Sequence, residues 1–283
     1  MKILYMVDYY QPQIGYNEYY LPSEWSRLGH DVTILTSDHY YPFPNYEETA
    51  GKLLGARRQK PGIYKQDKIT VIKKPMQFEV FTRAVFGGHE SIINKIRPDI
   101  VIVNKSSSYN SFQAARLKKK YHYKLITYDA RLMSGYNAVG NVAFKDFVYW
   151  LYRLTISSYM NKRVDKYIAV QEGTVDVMIN LYGQKPVEHI PLGTDPERFR
   201  YDITARRETR KKYQIPITAS VGIYTGKIIP TKGVSILYEA FGRLAKKNPN
   251  LHLLIVGSGG DDYIKQCESL VDPKYLKRIH LVG

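Results

Sequence analysis

Short apolar runs alternate with amphipathic segments along most of this chain. The apolar runs that we interpret as strands are 2–7, 31–36, 100–103, 123–127, 164–170, 187–191, 219–224, 251–256 and 278–282. Between them, apolar residues recur at three- and four-residue steps, as in helices, over 17–28, 81–96, 111–120, 141–160, 174–182, 204–213, 234–244 and 261–270. Units of strand, helix and strand build parallel sheets. The pattern therefore predicts an α/β protein with parallel sheets.

Two stretches depart from the simple alternation. Residues 40–64 are rich in proline and tyrosine, and the segment from Arg57 to Lys74 is strongly basic with only Asp67 opposing it. We interpret this region as a solvated insertion, and the alternative is a patch facing a membrane surface or an anionic acceptor. The helix 141–160 is rich in aromatic residues. Packing in a core is the usual explanation for such a helix, and a role at a membrane surface is the alternative.

The stretch 219–244 organises the second half of the chain. Its apolar start predicts a buried strand, and a loop with Gly226, Lys227 and Lys232 leads into a helix that Thr231 is placed to cap. A strand, a basic loop and a helix start together present backbone N–H groups and two ammonium groups to an anion, and a diphosphate would suit them. The alternative is that both lysines are solvated loop residues.

Other candidate residues follow predicted strands. Asp129 and Arg131 lie at the carboxyl end of the strand 123–127, and ligands bind at that end of parallel sheets. Gly257 and Ser258 belong to a second glycine-rich turn after the strand 251–256, and a simple tight turn is their alternative explanation. No cluster of His, Asp and Glu has the spacing of metal ligands, so we expect no metal.

Composition limits the functional classes. The chain has 283 residues, 44% of them hydrophobic, and a net charge of +16, which favours an anionic partner. The single cysteine, Cys267, excludes an intramolecular disulfide and fits a reducing compartment. We expect neither a signal peptide nor a membrane-spanning helix. The last three strands and two helices form an incomplete sheet, so we expect the sequence to be a fragment of a longer protein.

Five pieces of the sequence, in the expected order, resemble motifs of glycosyltransferase family 4. They are Pro12-x-x-Gly15 with Leu28-Gly29-His30-Asp31-Val32, then Ile168-Ala169-Val170 before Glu172, HIPLGTDPERF (189–199), GKIIPTKGVSILYEAF (226–241) and LLIVGSGG (253–260). The resemblance implies a GT-B fold, an α/β architecture of two Rossmann-like domains with parallel sheets. We expect an acceptor-side domain over 1–195 and a partial nucleotide-sugar-binding domain, with an incomplete sheet, over 196–283.

The resemblance also implies a retaining transfer of a hexosyl-type sugar from a nucleotide-diphosphate sugar, a co-substrate, to a glycan or lipid-linked acceptor, without a cofactor. The implied catalytic residues are Lys227, Lys232 and Asp129. The implied donor-binding residues are Gly15, Tyr16, Gly193, Gly226, Gly257 and Ser258, and the acceptor-binding ones are Tyr16, Asp129 and Arg131.

Four departures from the family pattern matter. Lys227 stands where the family usually has Arg, which removes a bidentate fork. Tyr16 stands where most members have a second glycine. Asp129 lies at the end of a strand where many members carry His; it could orient the acceptor or accept a proton, and the alternative is an aspartate that only caps the loop. The family's Glu-x7-Glu element should lie beyond Gly283, so we expect these 283 residues alone to be nearly inactive.

We expect a cytoplasmic protein that is peripheral at the inner membrane face, and no nucleic-acid partner. The alternatives are a non-catalytic glycan- or nucleotide-binding relative and a basic nucleic-acid-binding protein; the latter would leave the Rossmann-like organisation unexplained. A nicotinamide-dependent oxidoreductase is disfavoured because the first strand–helix loop lacks G-x-G-x-x-G. The sequence leaves open the sugar, the nucleotide, the acceptor, the linkage and the catalytic base.

Overall fold

The chain folds into two compact units, Met1–Gly193 and Thr194–Gly283. The computed structural model describes residues 1–48, 50–80, 82–132 and 142–283, and the side chains of all of these except 142–144. The sequence-based boundary, after residue 195, lies two residues beyond the one observed.

Unit 1 is built on an eight-stranded sheet. Its strands run in the order β10, β9, β8, β7, β1, β2, β4, β3, and all neighbours are parallel except β3 and β4. A separate antiparallel hairpin consists of β5 and β6. The strands are β1 (Lys2–Met6), β2 (Asp31–Ser37), β3 (Gly62–Gln66), β4 (Ile69–Lys74), β5 (Met76–Val80), β6 (Arg83–Phe86), β7 (Ile100–Asn104), β8 (Lys124–Asp129), β9 (Lys166–Ala169) and β10 (Val187–His189). The parallel α/β prediction is confirmed.

Helices cover both faces of this sheet. They are α1 (Asn17–Arg27), α2 (Gly51–Leu54), α3 (His89–Ile96), α4 (Tyr109–Tyr121), α5 (Val142–Tyr152), α6 (Ser158–Asn161) and α7 (Glu172–Asp176). One core lies on the side of α3 and α4 and includes Leu4 and Met6; the other lies on the side of α1 and includes Tyr5 and Ile34. Alternate residues of β1 thus enter opposite cores, which explains its continuous apolar sequence.

The prediction of a helix over 81–96 is wrong for its first half. Residues Arg83–Phe86 pair with β5 as a strand, and the helix begins only at His89. Gly88 is the N-cap with φ of +89°, a conformation that glycine adopts readily. Phe81 lies outside the described residues. The basic segment is likewise no simple insertion, because β3 and β4 extend the sheet through it and Lys73 is half-buried there.

The aromatic helix α5 does not bury all of its apolar side chains, contrary to the expectation of core packing. Phe147 is 59% exposed and Trp150 is 49% exposed, and Leu154, in the π-helical segment Arg153–Ser157 that continues the helix, is also 59% exposed. The rings of Phe147 and Trp150 stack with centroids 5.9 Å apart. Only part of the helical stretch, including Tyr149 and Tyr152, packs against the core. Asn141, the predicted start of this helix, lies outside the described residues.

Unit 2 contains a parallel three-stranded sheet in the order β11, β12, β13. The strands are β11 (Ser220–Thr225), β12 (Leu251–Val256) and β13 (Ile279–Val282), and the helices are α8 (Ile203–Lys212), α9 (Val234–Ala245), α10 (Asp261–Glu268) and α11 (Pro273–Leu276). Tyr238 and Phe241 of α9 pack on β12 with the fully buried Cys267. Burial of a side chain such as Phe241 stabilises the unit by roughly 1.5–3 kcal/mol.

The strand β11 is not buried, contrary to the sequence-based expectation. It lies at the edge of the sheet, and Ile223 is 65% exposed. The central strand β12 is the buried one. A strand with one neighbour and an uncovered face keeps most of its surface accessible to water after folding, whatever its apolar content.

Candidate functional site

The basic loop of unit 2 follows β11 at the carboxyl end of the sheet. Lys227 and Lys232 are both exposed on it, and Pro230–Lys232 forms a single 3₁₀ turn. Tyr224 donates a hydrogen bond from its hydroxyl to the carbonyl oxygen of Lys227 at 2.8 Å. Both ammonium groups therefore belong to one short segment at the ligand-binding edge of a parallel sheet.

The helix α9 starts directly after this loop. Its N-cap is Gly233, with φ of +66°, and no side chain caps the first turn. Thr231 lies within the 3₁₀ turn instead, so its predicted capping role is wrong. Because the first N–H groups of a helix have no intrahelical acceptor, an uncapped N-terminus beside two lysines is suited to an anion.

Two glycine-containing loops hold each other in place in unit 2. The N–H of Gly226 donates to Val256, and the N–H of Ile228 donates to Ser258, each at 2.9 Å. A Cβ on Gly257 would lie 1.9 Å from the carbonyl oxygen of Gly226, and one on Gly259 would lie 2.2 Å from that of Ile228. The second glycine turn is thus a backbone support for the loop that carries the lysines.

A cavity of about 310 Å³ lies in unit 1. The predicted residue Tyr16 lines it together with Asp8, Tyr9, Gln11, Glu18, Tyr41, Phe43, Asn104 and Lys105. Gly15, which precedes Tyr16, has φ of +71° and ends a 3₁₀ turn. A Cβ at Gly15 would approach the Tyr20 hydroxyl to 3.3 Å, so the glycine sets the turn from which Tyr16 projects.

Charged groups that the sequence analysis missed lie in this cavity. Asp8 is buried and accepts hydrogen bonds from Lys105 Nζ at 3.1 Å and Asn110 Nδ2 at 2.9 Å. Burial raises the pKa of Asp8, and Lys105 opposes that shift. Burial also raises the pKa of Glu18, which accepts a hydrogen bond from Asn104 Nδ2 at 3.2 Å. Two carboxyl groups of raised pKa in one cavity are typical of a functional site.

A signal for part of this set was present in the sequence. Asp8 and Lys105 follow the strands β1 and β7 closely, which is the same position that singled out Asp129. Glu18 carried no such signal, because an acid in the first turn of a helix is common for electrostatic reasons.

Asp129 and Arg131 lie near each other but do not form an ion pair. Asp129 accepts hydrogen bonds from the backbone N–H groups of Ala130 and Arg131, at 2.9 and 3.0 Å, and from the Ser106 hydroxyl at 3.1 Å. The Arg131 guanidinium donates to the Tyr182 hydroxyl at 3.1 Å. Asp129 therefore organises the turn that places Arg131.

Gly193 is the last residue of unit 1 and has open space around it. The sequence-predicted residues thus fall into three local groups: Gly15 with Tyr16, Asp129 with Arg131, and the paired loops of unit 2. Gly193 joins none of them through a described contact. In the described part of the chain, no three His, Cys, Asp or Glu side chains are grouped to hold a metal, and no helix there has the length and apolarity needed to span a bilayer.

Comparisons with known proteins agree with the geometry. The family model described as Glycosyltransferase Family 4 matches residues 19–198, and the one described as Glycosyl transferases group 1 matches residues 205–272. The chain is 34% identical over 73 residues to the GDP-mannose-dependent alpha-(1-6)-phosphatidylinositol monomannoside mannosyltransferase of Mycobacterium tuberculosis, which covers 26% of this chain and 19% of that protein.

A second curated relative is the GDP-mannose-dependent monoacylated alpha-(1-6)-phosphatidylinositol monomannoside mannosyltransferase of Corynebacterium glutamicum. It is 32% identical over 98 residues, which are 34% of this chain and 26% of that protein. The matched segments therefore span about a fifth to a quarter of these relatives.

Among solved structures, the chain is similar to Anabaena HepE in complex with UDP. The TM-score is 0.64 at 14% identity, and the match covers 100% of this chain and 69% of that one. At this identity the likeness concerns the fold alone, and it confirms the predicted GT-B class.

Proposed function

The chain belongs to glycosyltransferase family 4, and from this premise we propose that the protein transfers a hexosyl residue from a nucleotide-diphosphate sugar to a glycan or lipid-linked acceptor, with retention at the anomeric carbon. The curated relatives act, by their names, with GDP-mannose on phosphatidylinositol mannosides, and HepE was crystallised with UDP. A GDP- or UDP-linked hexose is accordingly the donor class that we propose.

One observation carries this proposal: the loop with Lys227 and Lys232 that leads to the uncapped N-terminus of α9. Cleavage of the sugar–phosphate bond leaves growing negative charge on the diphosphate. Ammonium groups and helix N–H groups that are fixed beforehand stabilise this charge most strongly in the transition state. The Gly257 turn supports the loop through backbone contacts. The ammonium and N–H groups of the loop and helix start therefore need little rearrangement when the diphosphate binds.

For the acceptor we propose the cavity of unit 1. Tyr16 and Glu18 line it, and Asp8 is held there by Lys105 and Asn110. Buried oxygen acceptors of this kind suit sugar hydroxyl groups. We assign proton removal from the attacking hydroxyl to the leaving diphosphate, so that no enzyme nucleophile is required, and we assign Asp129 an orienting role.

A thermal-shift panel tests the donor assignment. GDP-mannose, UDP-glucose, GDP and UDP are added to the protein, and we expect at least one nucleotide to raise the Tm. Lys232→Ala should remove that increase, because it deletes one of the two ammonium groups proposed to bind the diphosphate. Lys232 is exposed, so the substitution causes no loss of packing. Lys246→Ala at the other end of α9 is the matched control and should retain it. Stabilisation that survives in a Lys227→Ala/Lys232→Ala variant would contradict the assignment.

We also propose that the protein associates peripherally with an anionic membrane. The support is a set of exposed apolar side chains on α5 and on the π-helical segment Arg153–Ser157 that follows it: Phe147, Val148, Trp150, Leu151 and Leu154. A cationic cavity of about 640 Å³ lined by Arg153, Lys162 and Lys185 adjoins the end of the same helical stretch. Apolar side chains beside basic ones are the combination that binds anionic bilayers.

Vesicle co-sedimentation tests the membrane proposal. We expect binding to vesicles that contain phosphatidylglycerol and little binding to pure phosphatidylcholine. Leu154→Glu should weaken the binding, whereas Ile63→Glu, at an equally exposed apolar side chain on β3, should leave it unchanged. Equal binding by both variants would refute the assignment of this face.

A further inference from the structure

Aromatic rings form one wall of the cavity in unit 1. Tyr9, Tyr41 and Phe43 all line it. The Tyr41 ring meets the Tyr9 ring edge to face, with centroids 5.5 Å apart, and its centroid lies 4.9 Å from that of the Phe43 ring. We call these three residues the aromatic wall. Such rings offer a large apolar surface of defined shape, which suits the C–H face of a sugar ring.

Polar contacts hold the aromatic wall in place. The Tyr9 hydroxyl donates to Glu79, whose carboxylate oxygens accept from the Arg57 guanidinium at 2.7 and 2.8 Å. The backbone N–H of Tyr41 donates to the side-chain oxygen of the buried Gln11 at 2.9 Å. Because these contacts hold two of the three wall residues before a ligand arrives, binding costs little side-chain entropy.

Lys105 brings positive charge to the cavity, but its ammonium group is already engaged. Its Nζ donates to Asp8 at 3.1 Å and to the carbonyl oxygen of Thr82 at 2.9 Å. It also lies 5.2 Å and 5.8 Å from the ring centroids of Tyr9 and Tyr41. An ammonium group has three N–H donors, so Lys105 has little left to offer an anionic ligand.

Glu18 brings a second carboxyl group into the cavity. It accepts a hydrogen bond from Asn104 Nδ2 at 3.2 Å, and burial raises its pKa against the opposing effect of Lys105. Asp8, by contrast, is the direct partner of the cations: Lys105 donates to it, and Arg83 acts on it electrostatically. A carboxylate offers about four acceptor sites, so Glu18 has room for hydroxyl groups of a ligand besides the amide of Asn104.

The charge and the size of the cavity limit the class of ligand. Of the described residues that line it, two carry carboxyl groups and one carries an ammonium group. A phosphate placed among them would meet like charge, which is costly. The volume of about 310 Å³ lies at the lower end of the range for ligand pockets, about 300–1,000 Å³. One small uncharged ring therefore fits better than a phosphorylated ring or a chain of rings.

We propose that this cavity binds one uncharged sugar ring, the ring of the acceptor that carries the attacking hydroxyl group. This rests on the proposed function only in calling the ring part of an acceptor. The aromatic wall packs against the C–H face of the ring, and Glu18 accepts hydrogen bonds from its hydroxyl groups. Any phosphate of the acceptor lies outside the cavity, so the site discriminates against sugars that are phosphorylated on this ring.

A competition experiment without donor or turnover tests the site. Methyl α-mannoside and methyl α-glucoside are the probes, and saturation-transfer NMR follows their binding to the full chain. We expect at least one glycoside to bind, and the parent sugar to displace it at least roughly tenfold better than the corresponding sugar 6-phosphate does, because like charges repel. Only displacement of the probe is counted, so binding of the phosphate at the basic loop of unit 2 does not affect the result.

Substitutions assign the selectivity to named side chains. Glu18→Gln keeps the size of the side chain and should weaken glycoside binding roughly fivefold to tenfold, since charge-assisted hydrogen bonds are about twice as strong as neutral ones. It should also reduce the discrimination against the 6-phosphate, which a purely structural defect would not do. Tyr41→Leu should weaken the glycoside severalfold through loss of a ring of the aromatic wall. The matched controls are Glu24→Gln on the same helix and Phe78→Leu at an exposed aromatic residue, and both should bind as the wild type does.

Two results would overturn the proposal. One is displacement of the probe by a sugar 6-phosphate as effective as that by the parent sugar. The other is a failure of both glycosides to bind, or binding that is unchanged in Glu18→Gln and in Tyr41→Leu.

The glycosyltransferase proposal fails or stands separately. If nucleotides raise the Tm while neither glycoside binds, the donor assignment stands and the sugar site is wrong. If a glycoside binds with the expected selectivity while no nucleotide raises the Tm, the sugar site stands in a carbohydrate-binding protein and the transferase proposal is wrong.

Discussion

Substitution of Gly257 by alanine should destabilise unit 2 severely, although the change adds a single methyl group. The new Cβ would lie 1.9 Å from the carbonyl oxygen of Gly226, which is backbone and cannot rotate away. The φ of +148° is also unfavourable for an L-residue. Backbone strain of this kind costs about 1–3 kcal/mol, and overpacking costs about 1–3 kcal/mol more.

Gly260→Ala is the matched control in the same turn. Gly260 has φ of −71° and nothing within 4 Å of its Cβ position. Alanine fits there without strain and reduces the freedom of the unfolded chain. Because Gly260 is the N-cap of α10, where alanine is less favourable than glycine, we expect the net change in stability to stay within about 1 kcal/mol.

The single cysteine makes the comparison measurable in the folded protein. Cys267 is fully buried in the core of unit 2, so a thiol reagent reaches it only when this unit opens. A loss of about 2 kcal/mol or more should speed labelling by roughly 30-fold or more, because each 1.4 kcal/mol is a factor of ten. In a unit of this size the same loss should lower the Tm by roughly 8 °C or more. Labelling of Gly257→Ala at the rate of Gly260→Ala would show that the two loops do not rely on this contact.

Three further predictions concern buried charge. Glu18→Gln should raise the stability of unit 1 at pH 8 relative to the wild type, because burial raises the pKa of Glu18 and its ionised form disfavours the fold. The difference should vanish below about pH 4.3. Urea unfolding of this variant and of the exposed control Glu24→Gln at both pH values checks the prediction. In unit 2, burial lowers the pKa of His252 and of His280, whose ring nitrogens are 3.0 Å apart. Their neutral forms therefore stabilise unit 2 above about pH 6.5, and the Tm should fall between pH 7.5 and 5.5 by more in the wild type than in His252→Asn. Lys105→Met should cost about 3–5 kcal/mol because it leaves Asp8 buried without its cation, and Asp8→Asn should recover most of this loss in the double variant; additive losses in denaturant unfolding would contradict the pairing.

The sequence was sufficient for the parallel sheets because their strands are continuous apolar runs separated by helices. The predictions of burial from the sequence were wrong where an apolar residue is exposed in the structure. The pattern of residues 141–160 predicts an apolar face but not what covers that face, so the exposure of Phe147 and Leu154 could not be anticipated. The same reason applies to β11, whose edge position follows from the order of the strands.

The candidate site was only partly predictable for a different reason. Lys227 and Lys232 lie five residues apart on one loop, so local spacing locates them together. The cavity of unit 1 joins Asp8 with Lys105 across 97 residues, and only the order of β1 and β7 brings them together. The carboxyl-end rule could have flagged both, but not the burial that raises the pKa of Asp8.

In unit 2, the groups that hold the candidate anion site in place differ from the groups that carry its charge. The support is backbone: Gly226 and Ile228 bond to the second loop, and glycine at 257 and 259 leaves the space for that contact. The charge is on side chains that are exposed and contribute little to the core. It follows that Lys232→Ala should weaken nucleotide binding without changing Cys267 labelling, whereas Gly257→Ala should change both together. If nucleotide binding stayed intact in a Gly257→Ala protein with rapid labelling, the anion would have to be held by groups other than this loop.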